Sequence, residues 1–127
     1  MKKLLYVALM ALTLGFFAGC TGVSVGNEPK LDEEKSTLNG HFYDNTTYKC
    51  WQFTWEYTEK TTGEPDEHES GVDYNWSTEL MAQYEKAVWE WSHNVSASAY
   101  GVTSSIKGTC SLRETPKDVN HCYADED

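Results

Sequence analysis

From Trp51 to Tyr57 the chain reads WQFTWEY, with four aromatic side chains on alternate residues and Gln52, Thr54 and Glu56 between them. A period of two belongs to a β-strand, whose successive side chains leave opposite faces. One face of this strand is therefore a continuous aromatic surface that another element has to cover. The row reads as one side of a core. Its Trp51 and Trp55, together with Trp89 further on, are also the candidates for stacking on a ligand ring.

The covering element is predicted downstream. Ser77 is a helix cap, Glu79 complements the dipole in the first turn, and Asn94 is a stop. Between them Leu80, Met81, Tyr84, Ala87, Val88 and Trp91 fall on one helical stripe. That phase predicts Leu80, Tyr84, Val88 and Trp91 buried, with Lys86 and Glu90 exposed. Trp89 lies on the other side, flanked by Glu85, Lys86 and Glu90, either beneath a loop or as an exposed contact.

Residues 95–106, VSASAYGVTSSI, read as a second strand whose Ala97, Ala99 and Gly101 leave room beside indole rings, so it is expected to pair with the aromatic strand. Residues 59–73 carry six acids together with Gly63, Pro65 and Gly71 and read as a solvated loop. Asn39-Gly40 is a turn signal, with a short strand at His41 to Asp44. The fold class expected is α+β, a small antiparallel sheet with one helix packed across a face. A single domain is expected over 38–127, frayed from Tyr123 onward.

The N-terminus carries a different kind of signal. Lys2 and Lys3 precede an apolar run from Leu4 to Phe17 that ends in Ala18-Gly19-Cys20, which is the layout of an export signal. The junction resembles the lipobox of bacterial lipoproteins, with Phe17 where an aliphatic residue is usual. That resemblance implies a signal peptide over 1–19, a diacylglyceryl thioether on Cys20 and a location in the bacterial cell envelope. Thr21-Gly22, with no aspartate after the cysteine, resembles the sorting pattern of the outer rather than the inner membrane. Residues 20–37, poor in large apolar side chains, read as a lipid-anchored flexible tether. The membrane partner is reached through the lipid on Cys20, since more than one acyl chain gives stable anchoring.

Asp and Glu number 20 against 10 Lys and Arg, a net charge of −10, and removing residues 1–19 takes away two lysines and no acid. Scattered cations on so acidic a chain argue against nucleic acid as a partner. Beyond Cys20, three thiols remain, enough for one bridge and one orphan. A Cys50–Cys122 bridge would tie the apolar-poor C-terminus to the strongest strand and constrain the unfolded chain by about 4 kcal/mol. Cys110–Cys122, with its short loop, is the rival.

Motifs for chemistry are absent or incomplete. No CxxC pair or histidine spacing suggests a metal site, and Asp66 and Gly71 fit two places of a calcium loop whose other places are filled by His68, Ser70 and Ser77. Ser104-Ser105-Ile106-Lys107 matches SxxK, yet on a strand residues three apart face opposite ways. Glu56 is the nearest candidate for a perturbed acid. No cofactor is implied. The reading is a non-catalytic lipoprotein that binds or supports an unknown protein or glycan partner. The alternatives are a glycan-binding module using Trp51, Trp55 or Trp89, and a small hydrolase.

Overall fold

The computed structural model describes residues 22–123; the expected signal peptide and Cys20 lie outside them. Strands cover more than half of the described residues, and one helix packs on them. The fold is thus mostly β rather than a balanced α+β. Its main sheet holds β1 (Gly22–Val25), β5 (Tyr48–Thr61), β6 (Glu67–Thr78), β7 (Asn94–Ala99) and β8 (Val102–Thr115), in the order β1-β7-β8-β5-β6 and antiparallel throughout. β2 (Leu31–Asp32), β3 (Thr37–Leu38) and β4 (His41–Phe42) form a small second sheet, and α1 (Glu79–Ser92) crosses one face of the large one.

The aromatic strand is β5, at the sheet's centre between β8 and β6. Its Trp51, Phe53, Trp55 and Tyr57 are all under 9% exposed and form the core with Ala82, Trp89, Ile106 and Cys110. Three expectations about its neighbours need correcting. Residues 59–73 are mostly strand, not loop: β5 runs to Thr61 and β6 begins at Glu67. Over residues 67–73 β6 shows no apolar alternation, because its Glu69 and Asp73 receive the polar tips of the aromatic row. Trp55 Nε1 donates to Asp73 at 2.9 Å and the Tyr57 hydroxyl to Glu69 at 3.0 Å. The segment read as one strand over 95–106 is a hairpin, β7 and the start of β8, turning at Tyr100-Gly101 with φ of 52° and 78°. The expected pairing with β5 holds only for Ser104–Ile106, which belong to β8; Ala97 and Ala99 pair with β8 and do not reach the aromatic strand.

The room for the indoles is made by two other residues. Gly71 faces Trp55 across the β5–β6 ladder, and a Cβ there would lie 2.5 Å from the Trp55 ring. Gly108 faces Tyr57 across β8, and a Cβ there would lie 2.8 Å from Trp89. Glycine inside a strand often marks such a close approach.

These notches also reset the helix phase. Ala82, Trp89 and His93 share the line that meets the sheet, and Trp89, 5% exposed, lies 6.1 Å from Trp55 and 3.9 Å from the His93 ring, centroid to centroid. Of the stripe expected to face the core, Leu80 is fully buried, while Tyr84, Val88 and Trp91 are half-buried. That side of α1 looks toward the N-terminal segment: α1 touches β3, and Trp91 Nε1 donates to the Gly26 carbonyl at 2.9 Å. Lys86 and Glu90, expected in solvent, are half-buried and paired at 2.8 Å. The cap is Thr78 rather than Ser77, its hydroxyl accepting from the Met81 amide.

The segment expected as a tether is structured from Gly22 onward. Val23 and Ser24 alternate against β7 in an edge ladder, with Gly22 opposite Ser98 and Val25 opposite Val95. Asn39, at φ 50° before Gly40 at 83°, closes the β3–β4 hairpin as expected and accepts from the Lys30 amide at 2.9 Å. Tyr123 is held rather than frayed, its hydroxyl donating to Asn75 and accepting from the Trp76 amide.

The glycine notches carry a direct test. Gly108→Ala should cost about 1–3 kcal/mol by overpacking, and Trp89→Ala about 3–5 kcal/mol, by urea unfolding. Losses below about 0.5 kcal/mol in both would contradict this packing.

Candidate functional site

Side-chain parity gives the large sheet a covered face, under α1, and a second face turned the other way. The second face is divided. At one end the C-terminal segment closes over it: Cys122 is bonded to Cys50, both fully buried, with their Cα atoms 5.5 Å apart. Lys117 Nζ sits 4.0 Å above the Tyr74 ring, and Gln52 links the Tyr74 hydroxyl at 2.8 Å to Arg113 Nε at 2.9 Å. The bridge is the long-range pair considered from sequence; Cys110 is free and buried.

At the other end the face is open and forms a groove of about 850 Å³. Register sets its composition. One row across the strands is Ser24, Ser96, Ser105 and Lys60, the next is Asn94, Lys107, Thr58 and His68, and a third joins Thr109 to Glu56. These are the polar partners in each strand's alternation, so the apolar face of β5 fixes where they point. Lys60 pairs with Asp66 at 3.6 Å, and the Thr58 hydroxyl lies 3.1 Å from His68 Nδ1. Hydroxyls that both donate and accept, with two ammonium groups and two carboxylates among them, suit a polar ligand bound through several hydrogen bonds.

The other candidates from sequence are placed differently. Trp51, Trp55 and Trp89 are 6%, 8% and 5% exposed, with Trp51 Nε1 donating to the Ser77 carbonyl at 3.0 Å. Their rings are the core, and none lines the groove. Glu56 is exposed. The acid that sequence reasoning missed is Glu85, whose carboxyl is pushed up by burial beneath α1 and accepts from Asn75 at 3.0 Å. Its signal was its place three and four residues before Val88 and Trp89, on a helix side read as solvated.

Two polar atoms in the covered layer, Trp89 Nε1 and His93 Nε2, have no hydrogen-bond partner among the described residues. His93 caps α1, is fully buried, and has Nδ1 2.7 Å from the Trp89 carbonyl. A carbonyl only accepts, so Nδ1 carries the proton and Nε2 is a bare acceptor among rings. Burial holds the imidazole below its ordinary value, partly offset by that carbonyl. Burial, and then Glu69, push the Tyr57 hydroxyl up. Burial, with Glu90 nearby, raises the Cys110 thiol to about 11, which keeps it protonated and unreactive.

Compared with protein-family models, with curated proteins and with solved structures, the chain matches none of them.

Because His93 folds neutral with a lowered pKa, its contribution to stability is complete above its ordinary value of 6.5. It is lost as pH falls below that value, where the unfolded chain takes up a proton that the folded one refuses. Urea unfolding from about pH 7 to about pH 5 should show this decline, and His93→Gln should flatten it. An unchanged slope in the variant would assign the decline to other groups.

Proposed function

We propose that this chain is a non-catalytic lipoprotein of the bacterial cell envelope, anchored through Cys20 and binding a polar partner on the open half of its sheet. The anchor rests on the Ala18-Gly19-Cys20 junction after an apolar run. The observation that carries the binding surface is the division of the second sheet face: its Cys50 end is sealed by the C-terminal segment, and its Lys60–Lys107 end stands open as a hydroxyl-lined groove. A face needed only for solubility has no use for a seal over one half. The glycan reading through tryptophan loses its support, since an indole at 5–8% exposure has no free face to offer a sugar ring. Of the groove's two acids, Asp66 is held by Lys60 and Glu56 is exposed, an arrangement suited to binding rather than to acid–base catalysis.

The test uses the silence of the three thiols after Cys20, itself blocked when acylated: Cys50 and Cys122 are bridged and Cys110 is buried. Thr58→Cys and Thr109→Cys, placed in the groove, should react with a maleimide in the purified protein and be protected in intact envelopes. Glu34→Cys, exposed between β2 and β3 and outside the groove, should react in both. Equal reactivity of all three in envelopes would overturn the binding surface. Intact mass of the detergent-extracted chain should begin at Cys20 with acyl chains added, and an unmodified N-terminus would overturn the anchor.

A further inference from the structure

The β7–β8 turn is built at some cost. Tyr100 occupies its first central position at φ 52°, followed by Gly101 at 78°. This two-residue geometry is the one that asparagine, aspartate or glycine fills with ease, whereas other L-residues meet a steric clash of Cβ with the backbone in the left-handed region. The side chain so placed is 87% exposed. A large aromatic held in a strained backbone and given to solvent needs a reason outside the fold.

Its neighbourhood is apolar as well. Val102 at 47% and Val23 at 52% exposure stand on the helix side of the same sheet corner, with Ala99 opposite Val102 in the ladder. The corner also lies where the chain enters the domain. Gly22 pairs with Ser98, two residues before Tyr100, and only Thr21 separates Gly22 from Cys20. Two Cα steps span no more than about 7 Å, so whatever the conformation of Thr21, Cys20 lies within that distance of Gly22.

We propose that this corner, with Tyr100 at its tip and Val23 and Val102 beside it, docks on a zwitterionic phospholipid surface next to the Cys20 anchor; this rests on the lipoprotein reading above. Tyrosine suits the place, since an apolar ring carrying a polar hydroxyl prefers the level of the headgroups. The β5–β6 turn lies at the same end of the sheet, because Thr61 faces Ser104 and the Thr62 amide donates to the Thr103 carbonyl. It carries Glu64 and Asp66, with Glu67 opening β6, against Lys60, which pairs with Asp66. Two strands away is about 10 Å, within reach of a surface potential. Docking is therefore weakened by anionic headgroups, which repel that tip.

The experiment uses the full lipidated chain, isotope-labelled, in phosphatidylcholine nanodiscs doped with a gadolinium-chelating lipid. Amide signals of residues 98–104 should broaden and vanish, while those of 112–115 at the far end of β8 persist. Replacing part of the phosphatidylcholine by phosphatidylglycerol should restore signal at 98–104. Tyr100→Asn suits the left-handed turn and so keeps the fold; it should restore those signals too, with the acyl chains unchanged in mass. Even broadening at both ends, or a loss at 98–104 that Tyr100→Asn leaves in place, would overturn the docking while an acylated mass kept the anchor. A mass without acyl chains would overturn the lipoprotein reading itself, and the docking with it.

Discussion

The structure depends on fitting two indoles between a helix and a sheet. Trp55 and Trp89 lie 6.1 Å apart, each over a strand glycine, with His93 stacked on Trp89 at 3.9 Å and Tyr57 at 5.3 Å from His93. Gly71 and Gly108 decide how close α1 comes, which helical line faces the sheet, and that Glu85, Lys86 and Glu90 are drawn into the boundary. A chain of this size buries a modest share of its surface, so a single aromatic layer carries much of the packing. The ends of the layer are fastened by polar tips on acids: Trp55 on Asp73, Tyr57 on Glu69.

What was legible in the sequence followed from strong periods. The WQFTWEY row announced both its strand and its burial, Asn39-Gly40 its turn, and residues 79–92 their helix. The helix phase was not legible, because α1 has two useful sides. Its Leu80, Tyr84, Val88 and Trp91 side meets the N-terminal segment, and the side with Ala82 and Trp89 meets the sheet. Counting apolar residues picks the first; only the glycines opposite reveal the second. β6 was hidden for a related reason. A strand whose first half is acid-rich looks like solvent there until the groups those acids accept from are known.

The open groove was legible only as the polar half of each alternation. Ser24, Ser96, Ser105, Thr58 and Lys107 come from four strands and share no motif, and it is the ladder register that sets them side by side. The β1 edge strand is not legible in the sequence, because four residues with two valines carry little signal alone. Its pairing with β7 is long-range information. It bears on the anchor proposed at Cys20, since β1 begins two residues after that position.

The placement of the cysteines bears on how the chain oxidises without error. Cys50 points to the groove side of the sheet, while Cys110, level with Trp55 in the ladder, points to the helix side. Once β5 and β8 have paired, a slab of backbone stands between these two sulfurs, and the short-loop partner of Cys122 is on the wrong side of it. Pleat parity thus acts as an insulator, sorting three thiols into one pair and one bystander without help from loop length. A one-residue slip of β8 against β5 would turn Cys110 to the groove side and expose the chain to scrambling, so faithful bridging reports faithful register.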